Sequence, residues 1–474
     1  MSSPKTYLED PEFEDQIAPR SWSSAFYLFR GRPSAEHHRF VEQLRNNLDN
    51  TVRRVPRFGA ELEEQPDGRI RLVGGAGMGG TSCLLYEESR SYLGLDDMLK
   101  IIEQPGATQD LHLGDPLRTT RIDILRVKDG VCVVFRAHHS VADGATFAMF
   151  TQSVAQGGPL SQSSTTYQPP PSPTTQDIYI HPEMKVKFLR DTYFKLEDKG
   201  GPAQPLARHR NYAPPTESRT YRVSKTKCKT QIAENPDLRE NGGCTVFEYL
   251  AATFVAHALC ARFHATITDG SSWGSYAYLW IPVDVRRINR GSSSSRADEV
   301  GNAVAPAVVD IDPRCCSRAS APAPELTLQG ARDWAQDEAV AQLARQIATA
   351  VRFVWTAEYH AMRDVRVQAI VEKSGDDVRG LGVGFNAADH NWLHVNDARS
   401  FGADLVFPEG FGRADVVRRH VPRAPGIRLH PTRQGGGEDL VVLTVTLPKD
   451  AMDDFAGSKY FVPFLKEIEA APGA

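Results

Sequence analysis

Two adjacent histidines, His138 and His139, are separated by three residues from an Asp143-Gly144 pair. A histidine side chain titrates near neutral pH and can take a proton from a reacting group. Because adjacent side chains of an extended chain point to opposite sides, only one of the two imidazoles can face a given cavity. Asp143 can orient that imidazole, or it can turn away and hold the loop through another partner. The group is therefore a candidate general base with an acidic neighbour.

Two other interpretations of this group remain. Two histidines and one aspartate can bind a metal ion, but adjacent histidines rarely converge on one ion and no third histidine stands at a suitable spacing, so we expect no metal. Alternatively, the imidazoles are hydrogen-bonded core residues and Asp143 caps a helix. For an arbitrary histidine pair, this second interpretation would be the favoured one.

The segment around the histidines predicts a strand, a loop and a helix. The apolar run 131–135 is typical of a buried strand, and residues 117–127 precede it across a hairpin turn at 128–130. The residues after Asp143 predict the opening of a helix. Loops at strand ends on a rigid scaffold are common positions for catalytic groups.

The rest of the chain mixes strands and helices without strict alternation, which indicates a layered α/β fold. Thr245 and Glu248 match a capping box at a helix start. The predicted helices lie at 33–52, from 245 onward, within 331–373 and at 449–470 with an interruption at Pro463. The predicted strands lie at 24–29, 219–223, 276–283, 302–309 and 439–447, with a hairpin at 61–73.

The length of the chain and one polar stretch predict two domains. At 474 residues, the chain exceeds a domain with a single core. Residues 157–215 are dominated by Ser, Thr, Gln and Pro, which is typical of an exposed connection. We therefore predict an N-terminal half, 1–200, that carries the histidine pair and ends in this connection, and a C-terminal half, 201–474.

The composition is that of an ordinary globular protein, with 41% hydrophobic and 24% charged residues. A net charge of -4 gives no indication of a nucleic-acid-binding protein. The 7 cysteines include no CxxC pair, which disfavours a zinc ribbon and a disulfide framework. We recognise neither a signal peptide nor an apolar run of about 18 residues, so we expect a cytoplasmic protein without a membrane span.

The heptapeptide 138–144 resembles HHxxxDG, the signature of acyltransferases with a chloramphenicol acetyltransferase-like fold. That superfamily includes BAHD-type enzymes and the condensation domains of nonribosomal peptide synthetases. Residues 283–286 resemble its VDxR element, 301–302 its Gly-Asn pair, and 412–418 the stretch after its DFGWG motif. The resemblance extends over residues 22–470 and is greatest to stand-alone fungal natural-product O-acyltransferases such as trichothecene acetyltransferases. It favours the catalytic interpretation of the histidine pair.

The resemblance implies an α/β fold of two chloramphenicol acetyltransferase-like domains, with mixed sheets, flanking helices and a tunnel between the domains. It implies that His139 is the general base and that His138 has a secondary role. It also implies that Asp143 turns away from the tunnel and pairs with Arg286, which would brace the loop. Gly144 matches a position where a side chain would crowd the tunnel.

The chain departs from the superfamily near its C-terminus. Where DFGWG is expected, residues 404–413 read DLVFPEGFGR. In the superfamily this loop shapes the domain interface and the tunnel, so the change bears on donor handling more than on the fold. We identify no oxyanion donor from the sequence, although catalysis would need one.

A basic run follows the altered loop. Its arginines are Arg413, Arg418, Arg419, Arg423, Arg428 and Arg433. We predict that Arg418, Arg419 and Arg423 contact the phosphates of coenzyme A, because guanidinium groups match phosphate geometry. The alternative is a solvated, salt-bridged surface.

The predicted enzyme moves an acyl group from a thioester, acyl-coenzyme A, to a hydroxyl or amine of a small-molecule natural product. Acyl-coenzyme A would be a co-substrate, and no permanently bound cofactor is expected. One alternative is a donor-independent intramolecular cyclisation or isomerisation by the same base. Another is ester or amide formation from a donor on a carrier protein acting in trans. The intact motif disfavours a silent binding protein, and the two-domain members of the superfamily lead us to expect a monomer.

Overall fold

The computed structural model describes the greater part of both halves. The described residues are 6–9, 18, 21–31, 34–66, 68–74, 84–106, 118–158, 215–239, 243–268, 277–286, 300–311, 337–363, 392–432, 439–458 and 461–469. Most of the predicted connection, 159–214, and with it the predicted boundary near residue 200, lies outside these residues.

Within these ranges the chain forms mixed sheets flanked by helices. The strands are β1 Thr6–Glu9, β2 Trp22–Arg30, β3 Glu61–Glu64, β4 Ile70–Gly74, β5 Leu85–Arg90, β6 Thr120–Val127, β7 Gly130–His138, β8 Thr216–Ser224, β9 Ala277–Asp284, β10 Val304–Ile311, β11 Trp392–Asp397, β12 Val406–Phe407, β13 Gly412–Arg413, β14 Val416–Arg419, β15 Gly426–Leu429 and β16 Leu440–Pro448. The helices are α1 Ser34–Arg54, α2 Leu95–Ile102, α3 Gly144–Gln156, α4 Lys225–Glu234, α5 Pro236–Arg239, α6 Val246–Thr268, α7 Asp337–Val354, α8 Lys449–Gly457 and α9 Phe461–Ile468.

The N-terminal sheet has the strand order β14-β2-β7-β6-β5. β6 and β7 form the predicted hairpin, and β2 runs antiparallel to β7 along the whole of its length. Side chains of β7 alternate between two apolar layers, because successive residues of a strand face opposite sides. Val133 and Phe135 pack with α1 and α3, whereas Cys132 and Val134 pack with α2. The strand that ends at the histidine pair is therefore enclosed on both faces.

The C-terminal sheet has the order β10-β9-β11-β15-β16-β8. β11 is parallel to both of its neighbours, and the other pairs are antiparallel. Ile427 and Leu429 belong to the apolar core that the sheet forms with α6 and α7. Arg428 lies between them in β15, so it faces the opposite side of the sheet. The apolar face thus carries the core, and the other face presents polar residues.

Two segments of the C-terminal half pack into the N-terminal half. β14 pairs with β2, with Val416 opposite Leu28 and Arg419 opposite Ala25. The short β12–β13 hairpin lies just before it in the chain. Segment 404–419 therefore connects the two sheets.

Local patterns gave several elements correctly. The hairpin at 61–73 is β3 paired with β4. The capping box is formed, because Thr245 N lies 2.7 Å from the Glu248 carboxylate and Glu248 N donates to Thr245 Oγ1 at 3.2 Å. The helical segment expected at 449–470 is interrupted, but the position at Pro463 is wrong: α8 ends at Gly457 and α9 begins at Phe461. Pro463 lies in the first turn of α9, where its missing N–H would have no helical acceptor in any case.

None of the described helices is both long enough and apolar enough to cross a membrane.

Candidate active site

His138 and His139 face different surroundings. His138 is the last residue of β7 and is fully buried, with its ring edge-on to Trp22 at 5.7 Å between centroids. Its Nδ1 accepts a hydrogen bond from the backbone N–H of Ser140 at 3.2 Å. The two imidazoles do not converge, so His138 has the position of a core residue that shapes the turn.

His139 is half-buried at the start of the loop. Its backbone N–H donates to Ser21 O at 2.9 Å, and Asn302 Nδ2 donates to its carbonyl oxygen. The loop is thus held from both halves of the chain. The backbone of Ala142 lies beside the imidazole and acts to raise the pKa of His139. A neutral imidazole has one N–H and one lone pair, so one ring nitrogen can accept a proton.

The charge state of His139 is set by its surroundings. Burial, followed by the positive charges of Arg419 and Arg428, lowers the pKa of His139 to about 4, although Asp143 acts in the opposite direction. The ring is therefore neutral at neutral pH. A neutral imidazole is the form that a general base requires.

Asp143 turns into the protein and pairs with Arg286, as expected. Arg286 donates to both of its carboxylate oxygens, from Nη1 at 2.8 Å and from Nη2 at 2.9 Å. The backbone N–H groups of Thr146 and Ala303 complete its partners, each at 2.9 Å. Asp143 is also the N-cap of α3. One carboxylate therefore starts the helix, closes the loop and binds the C-terminal half.

Arg286 is the centre of this arrangement, with its side chain 0% exposed. Besides Asp143, it donates to Asp284 Oδ1 at 3.0 Å, to Thr146 Oγ1 at 2.8 Å and to the Gly301 carbonyl. Burial acts to lower the pKa of Arg286, but the nearby carboxylates outweigh burial and raise it. The guanidinium stays charged, and its donors are directed at fixed acceptors.

Gly144 leaves room for an aromatic ring. A Cβ at this position would lie 2.9 Å from Cε2 of Phe401, which is too close for an undisturbed contact. A side chain at this position would therefore press on Phe401, and the crowding of a tunnel stays a prediction.

The altered loop packs into the N-terminal core. Phe411 stacks on Phe40 with 3.7 Å between ring centroids, and Phe407 contacts Phe29 at 5.0 Å. Glu409 adopts a left-handed backbone conformation (φ 52°) at the turn between these two phenylalanines. The loop thus connects the halves through buried aromatic side chains, although it lacks the DFGWG sequence.

The basic run does not form one surface. Arg418 and Arg419 are adjacent in β14 and point to opposite faces of the sheet: Arg418 pairs with Glu103 at 2.9 Å, and Arg419 lies over Phe147. The Arg423 side chain lies against Gly106, close to the end of α2. The alternative that the basic run forms a solvated, salt-bridged surface is wrong for Arg419, which is only 5% exposed. Contact of any of the three with coenzyme A stays a prediction.

Sequence reasoning did not place three residues beside the loop that carries His139: Thr146, Asn302 and Arg428. Thr146 exchanges hydrogen bonds with the backbone of Gly301, donating to its carbonyl at 2.7 Å and accepting from its N–H at 3.1 Å. Its spacing of three residues from Asp143 at a helix start is a signal that could have identified it. Asn302 was noted only as part of a Gly-Asn pair. Arg428 was named only as part of the basic run. The signal that could have identified it is weaker: a charged residue that alternates with apolar residues in a strand.

Comparisons with known proteins agree with this architecture. No protein-family model matches the chain. O-acetyltransferase ptmV of Penicillium ochrochloron is 22% identical over 249 residues, which cover 43% of this chain and 46% of that protein. The chain thus aligns with less than half the length of that curated relative.

Solved acyltransferase structures align with nearly the whole chain. F. graminearum TRI101, complexed with coenzyme A and T-2 mycotoxin, has a TM-score of 0.64 at 12% identity and covers 97% of this chain and 99% of its own. TRI3 trichothecene 15-O-acetyltransferase from Fusarium sporotrichioides has a TM-score of 0.52 at 11% identity, and the alignment covers 96% of this chain and 92% of that one. At these identities the likeness establishes the fold. The chain has the two-domain, chloramphenicol acetyltransferase-like fold of these acyltransferases, as the HHxxxDG resemblance predicted.

Proposed function

We propose that this protein transfers an acyl group from acyl-coenzyme A to a hydroxyl or amine of a small-molecule natural product, with His139 as the general base. The observation that carries the proposal is the state of His139. Its imidazole is neutral, and the loop that holds it is fixed from both halves of the chain by Ser21 and Asn302. A neutral imidazole has one lone-pair nitrogen, which can accept a proton.

The reaction follows from that single proton acceptor. The free ring nitrogen of His139 takes the proton of the acceptor hydroxyl as its oxygen attacks the thioester carbonyl. The carbon–sulfur bond of the resulting tetrahedral intermediate breaks, and the departing thiolate takes the proton from the imidazolium. The products are an ester, or an amide from an amine, and the free thiol of coenzyme A. The cycle requires no acyl-enzyme.

Asp143 is a positioning residue in this proposal. Both of its carboxylate oxygens are occupied by Arg286 and by the N–H groups of Thr146 and Ala303. It therefore does not act as a relay between His139 and a second base. Its contribution is to hold the loop in the geometry that presents the imidazole.

The fold comparisons support the donor and the class of acceptor. The F. graminearum TRI101 structure is a complex with coenzyme A and a mycotoxin, and the Penicillium ochrochloron relative is named an O-acetyltransferase. We infer the same kind of donor for this chain, with a carrier-protein donor as the alternative. A cytoplasmic monomer is part of the same proposal.

Calorimetric titration of the full chain with coenzyme A tests the donor. We expect saturable binding in the parent protein and unchanged binding in His139→Ala, because a base that touches the acceptor proton does not hold the donor. Absence of heat in both titrations, with and without a candidate acceptor, would contradict the proposal. It would instead favour a carrier-protein donor or a donor-independent reaction.

A further inference from the structure

Two buried arginines from different sheets lie beside His139. Arg419 belongs to β14 of the N-terminal sheet and Arg428 to β15 of the C-terminal sheet, and their exposed fractions are 5% and 8%. Both contribute to lowering the pKa of His139, and Arg419 also lowers the pKa of Arg428. The contacts agree: Arg428 Nη1 donates to the carbonyl of His420, the residue after Arg419, and Arg419 Nη2 donates to Ser23 Oγ, two residues from the Ser21 carbonyl that accepts from the His139 N–H. The two guanidinium groups therefore lie near each other and near the loop that carries His139.

Neither arginine uses most of its hydrogen-bond donors. Arg419 donates from Nη2 to Ser23 Oγ at 2.7 Å and stands over the Phe147 ring at 4.2 Å. Arg428 donates from Nη1 to the His420 carbonyl at 2.9 Å. The Nε–H of each is buried without a hydrogen-bond partner. A guanidinium group has five N–H donors, so most of this capacity is unused within the described part of the chain.

The lack of a carboxylate distinguishes this pair from comparable arginines. Arg136 is buried against Asp123 at 2.8 Å, and Arg286 is buried against Asp143 at the same distance. Among the described residues, no Asp or Glu pairs with Arg419 or Arg428. Burying a charge without a counter-ion is strongly unfavourable. Two such charges side by side indicate that a ligand supplies the missing negative charge.

We propose that Arg419 and Arg428 form a subsite for a carboxylate group of the substrate whose reacting hydroxyl or amine meets His139. The planar carboxylate matches the fork of N–H donors that each guanidinium presents. This inference deepens the proposed function, on which it rests for the place of the reacting atoms. It assigns a substrate class: an acceptor that carries an acidic group near the acylated position.

Coenzyme A is the other possible source of an anion, and its shape disfavours it. Its phosphates are separated from the thioester sulfur by the whole pantetheine arm. When the thioester carbonyl reaches His139, the phosphates must therefore lie far from the imidazole. Arg419 and Arg428 are within electrostatic reach of that imidazole, so we assign an anion bound there to the acceptor. For Arg419 this assignment replaces the sequence-based prediction of a contact with the phosphates of coenzyme A.

A bound carboxylate would also change the pKa of His139. The positive charges of Arg419 and Arg428 contribute to the lowered pKa of His139, against the opposing charge of Asp143. Neutralising the two arginines would raise the pKa of His139 and make its free nitrogen a stronger proton acceptor. The base would thus be strengthened when an acidic acceptor is in place.

Binding of benzoate, with neutral benzamide for comparison, tests the subsite without any turnover. Ligand-observed NMR titrations of the full chain are expected to show saturable benzoate binding and much weaker benzamide binding. Arg428→Gln should weaken benzoate binding about tenfold or more, since it removes charge-assisted hydrogen bonds. Arg126→Gln is the matched control, because Arg126 is exposed on β6, and it should bind benzoate like the parent.

Two further readouts separate the subsite from other roles. If Arg428 serves a ligand, Arg428→Gln removes an unpaired buried charge and should melt at the parent temperature or higher. Its affinity for coenzyme A should stay within about twofold of the parent. Equal binding of benzoate and benzamide by the parent protein would overturn the proposal, and this comparison does not depend on the folding of any variant. So would a loss of coenzyme A affinity in Arg428→Gln, because the anion would then be a phosphate of the donor.

The same measurements distinguish failure of the subsite from failure of the proposed function. His139→Ala should bind benzoate like the parent, since the imidazole is not part of the carboxylate contact. Benzoate binding that depends on Arg428 would support the subsite even if no acyl transfer were found. Acyl transfer without such binding would contradict the subsite alone.

Discussion

Asp143→Asn tests the brace that holds the loop carrying His139. The substitution is nearly isosteric but removes the charge that faces Arg286, whose side chain is 0% exposed. It also replaces one acceptor oxygen with an amide that cannot accept the hydrogen bonds now made by Arg286 and the backbone. Leaving a buried charge without its partner costs about 3–5 kcal/mol. This is a large part of the roughly 5–15 kcal/mol by which a folded protein is stable.

Urea unfolding, followed by tryptophan fluorescence, measures the loss in the free energy of unfolding. Acyl transfer measured on the same samples gives the activity. Arg286→Met should lose a similar amount of stability. The double variant should lose clearly less than the two single losses together, because the second change removes the charge that the first left unpaired. Both single variants should also lose activity beyond their loss of folded protein.

Asp123→Asn is the matched control. Asp123 pairs with buried Arg136 at 2.8 Å and with Arg121 at 2.7 Å in the N-terminal sheet, and none of these residues belongs to the loop that carries His139. We expect it to lower the urea midpoint comparably while the folded fraction keeps the parent turnover. Single variants of Asp143 and Arg286 as stable as the parent would refute the brace. Additive losses in the double variant would refute the coupling between the two residues.

The remaining predictions concern the histidines and the altered loop. Burial lowers the pKa of several histidines below the unfolded value near 6.5; these are His257, His394, His420 and His430. Below pH 6.5 these histidines bind protons in the unfolded chain but stay neutral in the folded protein. Their contribution to the free energy of unfolding is therefore fully present above pH 6.5, and it falls toward pH 4 by up to about 1.4 kcal/mol per pH unit for each histidine. Urea midpoints at pH 7, 6 and 5 check this, and a constant midpoint would be the contrary result. Phe411→Ala should cost about 3–5 kcal/mol because it removes a buried ring stacked on Phe40. Val406→Ala, at an exposed position of the same hairpin, should cost far less; equal midpoints of the two variants would show that the loop does not connect the halves.

Local structure was predictable where neighbours in sequence decide it. The hairpin before the histidines follows from alternation and a turn signal, and the capping box follows from Thr245 and Glu248 alone. Pro463 was misjudged because the effect of proline depends on its position within a helix, which composition does not give.

Long-range contacts were predictable only through the family resemblance, or not at all. Asp143 and Arg286 are 143 residues apart in the chain, and no spacing rule joins them. The approach of Arg419 to Arg428 depends on the pairing of β14 with β2 in the other half of the chain. The insertion of Phe411 beside Phe40 has the same origin. Such contacts are set by the arrangement of sheets, which a single sequence does not reveal.

The central claim is that His139 takes the proton of the acceptor. Its most direct test is the rate of free thiol release from acetyl-coenzyme A by parent and His139→Ala, measured with a panel of acidic and neutral hydroxyl and amine acceptors. A positioned general base contributes about 10²–10⁴-fold, so the variant should lose at least about a hundredfold in turnover. Its urea midpoint and its affinity for coenzyme A should match those of the parent. A variant that is folded, binds coenzyme A and turns over at the parent rate would contradict the assignment.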